Sequence, residues 1–180
     1  MELLLGDRVT HSTRPDWGLG QIFELSGNGK VRVYFSCAGR RQIATNVVEL
    51  LKVDGDKTNS ELLDTLSDRT WPYARFNIYV IELNEAVWNE HAYRAENPNR
   101  DPAKPCLYVG MSWHTPEERF AQHMAGGVLA ARYVHRYRQG ARLRGDLFQH
   151  LNPMHKRLAA LMEVERAHQL RGLGFGVWQK

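Results

Sequence analysis

Turn-forming residues punctuate the first 51 positions so closely that no long helix fits among them. Gly6-Asp7, Arg14-Pro15-Asp16-Trp17-Gly18, Ser26-Gly27-Asn28-Gly29-Lys30 and Ala38-Gly39 cut this stretch into short runs. Within one run Val31, Val33 and Phe35 alternate with Arg32 and Tyr34, the period of a half-buried strand. The runs at 8–11, 20–25, 31–35, 41–44 and 47–51 read as short strands. They are expected to close into a small β barrel, because closure removes exposed edges.

After residue 51 the pattern changes. Residues 52–74 read as a linker in which Asn59-Ser60-Glu61-Leu62-Leu63 can cap and begin a short helix. Residues 75–180 then form a second domain. Its runs at 76–83 and 106–110 are rich in β-branched and aromatic residues, as strands are. Asn97-Pro98, Asp101-Pro102 and Lys104-Pro105 make the intervening 84–105 segment a long connection, with a helix at 85–95, rather than a third core strand. Thr115-Pro116-Glu117-Glu118 is a strong helix start: a capping threonine, a proline suited to the first turn, and acids at the positive helix end. That helix ends at Gly126-Gly127; another is expected over 153–171, before a last strand at 175–178.

The chain has 180 residues, 43% of them hydrophobic and 24% charged, a globular composition that excludes wholesale disorder. No apolar run approaches the roughly 18–20 residues of a membrane span. Residues 1–6 are too short and lack the basic start of a signal peptide. Cys37 and Cys106 make neither a disulfide scaffold nor a CxxC zinc site, so a cytoplasmic location is expected. The net charge of +4 is unevenly placed. Residues 1–70 hold 9 basic against 10 acidic side chains, and residues 71–180 hold 15 against 10. Arg132, Arg136, Arg138, Arg142 and Arg144 are concentrated in the second part, which points to a polyanionic partner there.

Asn77-Ile78-Tyr79 on one strand, Tyr108-Val109-Gly110 on the next, Arg119 and His123 one turn apart on a helix, and Glu163 on the last helix follow in an order that resembles the GIY-YIG nuclease superfamily. The resemblance spans residues 75–179. It implies an α/β domain with a small antiparallel central sheet flanked by helices, and metal-dependent endonuclease activity with one Mg²⁺ or Mn²⁺ ion. It assigns water activation to Tyr79 or Tyr108, phosphate binding to Arg119, a catalytic place to His123, and the metal to Glu163. Asn77 stands in place of the family glycine, and the two tyrosines are 29 residues apart, so 84–105 is an insertion at the hairpin tip. The family's late asparagine is missing; Gln179 is the nearest amide.

The residue types suit that chemistry. Phosphodiester hydrolysis needs an activated water and neutralisation of phosphate charge. A guanidinium is a planar fork matched to phosphate oxygens, and Arg119 lies on the same helix face as His123. A tyrosine alone is a poor base, but a neighbouring cation or second tyrosine brings its phenolate within reach. Glu163 shares a helical face with Ala160, Ala167 and Leu170, and an acid on an apolar face needs a partner or a metal; Glu165 points to the other side. The other histidines show no metal-ligand spacing.

Tyr133 and Tyr137 interleave with Arg132, Arg136 and Arg138, and with Arg142 and Arg144 they form the expected nucleic-acid contact, DNA being favoured. Residues 5–51 resemble a small bacterial family, with Gly6-Asp7-Arg8-Val9-Thr10-His11 followed by Arg14-Pro15-Asp16-Trp17-Gly18-Leu19-Gly20, and look like the Tudor-like or SH3-like barrels of CarD-type transcription factors and some repair helicases. Such a barrel with nearly neutral charge implies a protein partner. The α+β whole is thus an interaction barrel followed by a nuclease domain. The alternative is a catalytically inactive nucleic-acid-binding adaptor on the same scaffold.

Overall fold

The structure, a computed structural model, describes residues 2–67 and 74–179. The chain divides into two compact units, Met1–Ala74 and Arg75–Lys180.

In the first unit β1 (Arg8–His11), β2 (Gly20–Gly27), β3 (Lys30–Phe35), β4 (Gly39–Ala44) and β5 (Leu50–Lys52) form one antiparallel sheet in the order β4-β3-β2-β1-β5. The β2–β3 hairpin turns through Asn28 and Gly29, both at positive φ (50° and 68°), the conformation whose twist matches that of the flanking strands. Every strand contributes to a single core: Val9, Ile22, Val31, Val33, Phe35, Ile43 and Leu50, joined by Ala38. Trp17 packs on this core as a structural aromatic. Its ring lies 4.6 Å from His11 and 5.2 Å from Phe35, and Arg14 and Arg41 lie over it.

The 52–74 segment differs from the expected linker. Up to residue 67 it belongs to the first unit, and residues 68–73 lie outside the described residues. Ser60 caps the short helix α1 (Glu61–Asp64) by accepting from the Leu63 N–H, and Leu62, Leu63 and Leu66 are buried. Arg8 ties the segment to β1 by donating to the Thr58 carbonyl and pairing with Asp64. Three buried leucines are the physical reason: apolar surface of that size stays out of water only when packed.

In the second unit β6 (Asn77–Glu82), β7 (Cys106–Ser112), β8 (Arg142–Leu143) and β9 (Gly176–Trp178) form a sheet in the order β8-β6-β7-β9. Its helices are α2 (His91–Ala95), α3 (Pro116–Ala125), α4 (Arg132–Arg136) and α5 (Lys156–Gly172). The sheet is mixed rather than antiparallel. β6 runs antiparallel to β7 and β8, but β9 arrives after the intervening helices and pairs parallel with β7. Consecutive burial of residues 78–81 and 106–110 marks β6 and β7 as central strands, and α5 packs against both.

In place of the one helix expected over 85–95, the 84–105 connection has a 3₁₀ helix over Glu85–Asn89 followed by the short α2, and its side chains secure β7 and β9. Tyr93 is buried, and its hydroxyl both donates to the Leu107 carbonyl (3.0 Å) and accepts from the Leu107 N–H (2.9 Å). Asn97 gives Val177 of β9 the same treatment, accepting from its N–H (2.7 Å) and donating to its carbonyl (3.1 Å). The Asn97 side chain thereby substitutes for a neighbouring strand along a three-residue β9. Among the described residues no helix is long and apolar enough to cross a membrane.

Candidate active site

Tyr79 and Tyr108 occupy neighbouring central strands. Tyr79 pairs with Gly110 and Ile81 with Tyr108, so the two tyrosines are diagonal neighbours with ring centres 6.1 Å apart. Gly110 makes this possible. A Cβ at Gly110 would sit 2.5 Å from the Tyr79 hydroxyl, so the Tyr79 ring lies across β7 where only glycine leaves space.

α3 brings His123 and Arg119 to the same place. Its start is the expected capping box: Thr115 accepts from the Glu118 N–H, and the Glu118 carboxylate accepts from the Thr115 N–H. One turn apart, Arg119 and His123 share a face. His123 is fully buried, with its Nε2 2.9 Å from the Tyr79 hydroxyl oxygen. Its ring centre lies 5.9 Å from that of Tyr108. Its Nδ1 accepts from the Ala131 backbone N–H at 3.0 Å. In the neutral ring the proton therefore sits on Nε2 and is donated to Tyr79. Burial, reinforced by the Arg119 charge, holds the imidazole well below its usual range, at about 4, so His123 is neutral near pH 7.

Arg119 is partly exposed. It donates to the Gln122 side chain (2.9 Å) and to the Leu129 carbonyl (2.7 Å), and among the described residues it makes no ion pair. Its guanidinium is aimed by neutral partners and keeps its charge uncompensated. Burial raises the Tyr79 hydroxyl above its usual range; hydrogen bonding to Arg119 and Tyr108 opposes that rise, and Glu163 adds to it. For Tyr108 burial, Tyr79 and Glu163 all act upward, with only Arg119 opposing them. The two phenols are thus unequal: at Tyr79 hydrogen bonds from neighbours oppose the effect of burial, and at Tyr108 they do not.

Glu163 enters from α5. Ala160, expected beside it on an apolar face, is exposed; the buried stripe runs through Ala159, Met162, Ala167 and Leu170, with Glu163 at its margin. Ala167 and Leu170 of the expected face are buried, and the buried Arg166, which donates to the Leu147 carbonyl, joins them. Burial raises the Glu163 carboxyl to about 7, against a hydrogen bond from the Gln179 side chain that works in the other direction. Among the described residues Glu163 has no cationic partner. Glu165 instead accepts from Gln169. Tyr79, Tyr108, Arg119, His123 and Glu163 therefore interact in one cluster, with Gln179 on Glu163.

Among the described residues no group of three or more His, Cys, Asp and Glu side chains is gathered as a metal cage. The donor set is a single half-buried carboxylate without a cation. That suits a small divalent ion of the magnesium kind, which keeps most of its waters and takes one or two carboxylates plus substrate phosphate.

The arginine-rich segment is less available than expected. Glu82 pairs with Arg142 (3.0 Å) and Arg144 (2.8 Å), and Arg144 also pairs with Asp146. Glu90 pairs with Arg136 and accepts from the Tyr137 hydroxyl, each at 2.6 Å. Arg138 donates to the His135 carbonyl, and Arg132 is exposed beside the Tyr133 ring. Tyr133 itself is buried, its ring 4.7 Å from Trp178 and 6.2 Å from Tyr93. Tyr137 is thus held by Glu90, and Tyr133 belongs to an aromatic cluster with Trp178 and Tyr93. Two features escape the sequence reading altogether: the Ala131 N–H that orients His123, and the place of Trp178 beside Tyr108. A backbone donor carries no side-chain identity, and a tryptophan next to the chain's end carries no motif.

In comparisons with known proteins, residues 3–53 match a family described only as "Protein of unknown function (DUF3553)". The match covers the first sheet and stops short of every residue of the cluster. No curated protein and no solved structure matches the chain.

Proposed function

We propose that the second unit is a GIY-YIG-type endonuclease that hydrolyses phosphodiester bonds in nucleic acid, DNA being favoured. The observation that carries this reading is the meeting of Tyr79, Tyr108, His123, Arg119 and Glu163, with Tyr79 hydrogen-bonded to a neutral His123 at 2.9 Å. Arg119, charged and without an acidic partner, binds the scissile phosphate and neutralises charge as it develops. Tyr79, as the phenolate left when its own proton passes to solvent, takes the proton of the attacking water; the His123 Nε2–H and the adjacent guanidinium support its oxygen while it carries negative charge. Tyr108 supports Tyr79 through the hydroxyl contact between them. Glu163, oriented by Gln179, is the residue suited to hold a magnesium or manganese ion. Such an ion, when bound, supplies positive charge to the phosphate and the leaving oxygen.

We read the first unit as an SH3/Tudor-like barrel for a protein partner. In support, strands from both edges of its sheet feed one core. Incubation with plasmid, branched DNA and RNA in Mg²⁺ or Mn²⁺, alongside Glu163→Ala and Arg119→Ala, tests the nuclease assignment. Each substitution is expected to lower cleavage by about 10²–10³-fold. Activity that survives both unchanged would remove the basis for it.

A further inference from the structure

A half-open cavity of about 210 Å³, lined by Tyr108, Ala131, Arg132, Tyr133 and Trp178, shares Tyr108 with the cluster. We infer that this cavity receives a single unstacked nucleobase next to the cleaved phosphate, so that the substrate is nucleic acid presenting an extrahelical or single-stranded nucleotide. The inference rests on the nuclease reading of the neighbouring cluster.

Three properties of the cavity carry it. Its walls are aromatic and held in place. Trp178 packs between Tyr133 (4.7 Å, edge-on) and Tyr93 (6.2 Å, stacked), so its ring is braced before any ligand arrives. Its size is below the roughly 300–1,000 Å³ of pockets for drug-sized ligands, which suits one planar ring system. Its position is shared with the cluster. The Tyr108 ring lies 6.1 Å from Tyr79 and 5.9 Å from His123, and the same residue lines the cavity. Ala131 likewise lines the cavity while its N–H holds His123. A nucleotide whose phosphate rests on Arg119 therefore has its base within reach of the cavity.

Arg132 supplies the remaining chemistry. It is exposed at the cavity, 5.9 Å over the Tyr133 ring, and offers a cation to the phosphate backbone flanking the base. An aromatic slot with a cation at its mouth matches an aromatic ring carried on an anionic chain. A base stacked inside a regular duplex cannot enter such a slot, whereas a bulged, mismatched or single-stranded one enters at little unstacking cost.

The test uses the full chain in EDTA and two DNA hairpins, one with a single bulged 2-aminopurine and one fully paired. The bulged hairpin is expected to bind about tenfold more tightly. Its 2-aminopurine fluorescence is expected to fall on binding as the ring stacks on the cavity wall. Ala131→Leu, which fills the cavity but keeps the backbone N–H, is expected to bring the affinity ratio close to one. Equal affinities, fluorescence that rises or stays constant, or a folded Ala131→Leu protein that keeps the full ratio would each overturn the inference. The fluorescence reading needs only the native chain, so it decides even if the variant does not fold. Cleavage in Mg²⁺ without preference for the bulge would sink the cavity assignment and leave the nuclease reading intact. Preference for the bulge without cleavage in any metal would do the reverse.

Discussion

Replacing Glu163 with glutamine is expected to stabilise the second unit at pH 8 when divalent ions are absent. Burial raises this carboxyl to about 7, from an ordinary value of 4.5, and no cation among the described residues compensates it. A pKa difference of that size corresponds to about 3 kcal/mol at most. Because the group is partly exposed, solvent screening reduces the figure to about 1–2 kcal/mol. The sign follows from linkage: a carboxyl that titrates higher in the folded state than in the unfolded state favours folding at low pH. That advantage disappears as pH rises through 7. Glu163→Gln removes the charge at little change in shape, so the gain is large at pH 8 and small at pH 5. At about 4 °C per kcal/mol for a unit of this size, the melting temperature rises by roughly 4–8 °C at pH 8. Thermal unfolding of both proteins in EDTA at the two pH values measures this. Added Mg²⁺ is then expected to raise the melting temperature of the native chain but not of Glu163→Gln, since an ion that binds only the folded state stabilises it by mass action. A variant that melts lower than the native chain at pH 8 would refute the reasoning, because the carboxylate would then be part of a stabilising pair.

Gly110→Ala puts a methyl group 2.5 Å from the Tyr79 hydroxyl, and denaturant unfolding is expected to register a loss of about 1–3 kcal/mol together with lost cleavage. His123 titrates near 4 when folded and near 6.5 when unfolded, so it withdraws stability as pH falls from 6.5 to 4, by about 3 kcal/mol in total. His123→Gln, compared with the native chain across that range, is expected to show a correspondingly shallower acid dependence; identical slopes would count against a buried neutral His123. Asn97→Ala removes the side-chain acceptor of the Val177 N–H and leaves Arg171 as the side-chain donor to its carbonyl; it is expected to cost about 1–3 kcal/mol, with faster amide exchange at Val177.

How far the sequence could be read depends on how local each cause is. The Thr115–Glu118 capping box involves neighbours in the chain, and its residues suffice to place the start of α3. The same holds for Asn28-Gly29, whose backbone freedom alone makes the hairpin turn. Arg119 and His123 share a face by helix geometry, and the strand diagonal of Tyr79 and Tyr108 follows once their strands are paired. The arginines of 132–144 show the limit. Their density is visible in the sequence, yet Glu82 and Glu90, which neutralise several of them, sit some fifty residues earlier and meet them only through the sheet. The parallel placement of β9, the Asn97–Val177 bonds across 80 positions, and the absorption of residues 52–67 into the first unit are likewise products of tertiary packing. A buried arginine, Arg166, takes part in the inward face of α5, which no apolar periodicity announces.

The central claim is that this side-chain cluster cuts phosphodiester bonds, and it meets its most direct test in single-turnover cleavage of an end-labelled DNA strand in Mg²⁺. The account predicts cleavage by the native chain, and a rate at least about 10²-fold lower for Arg119→Ala at equal binding, since this guanidinium faces the charge that develops on phosphate. Equal rates for the two proteins would contradict it.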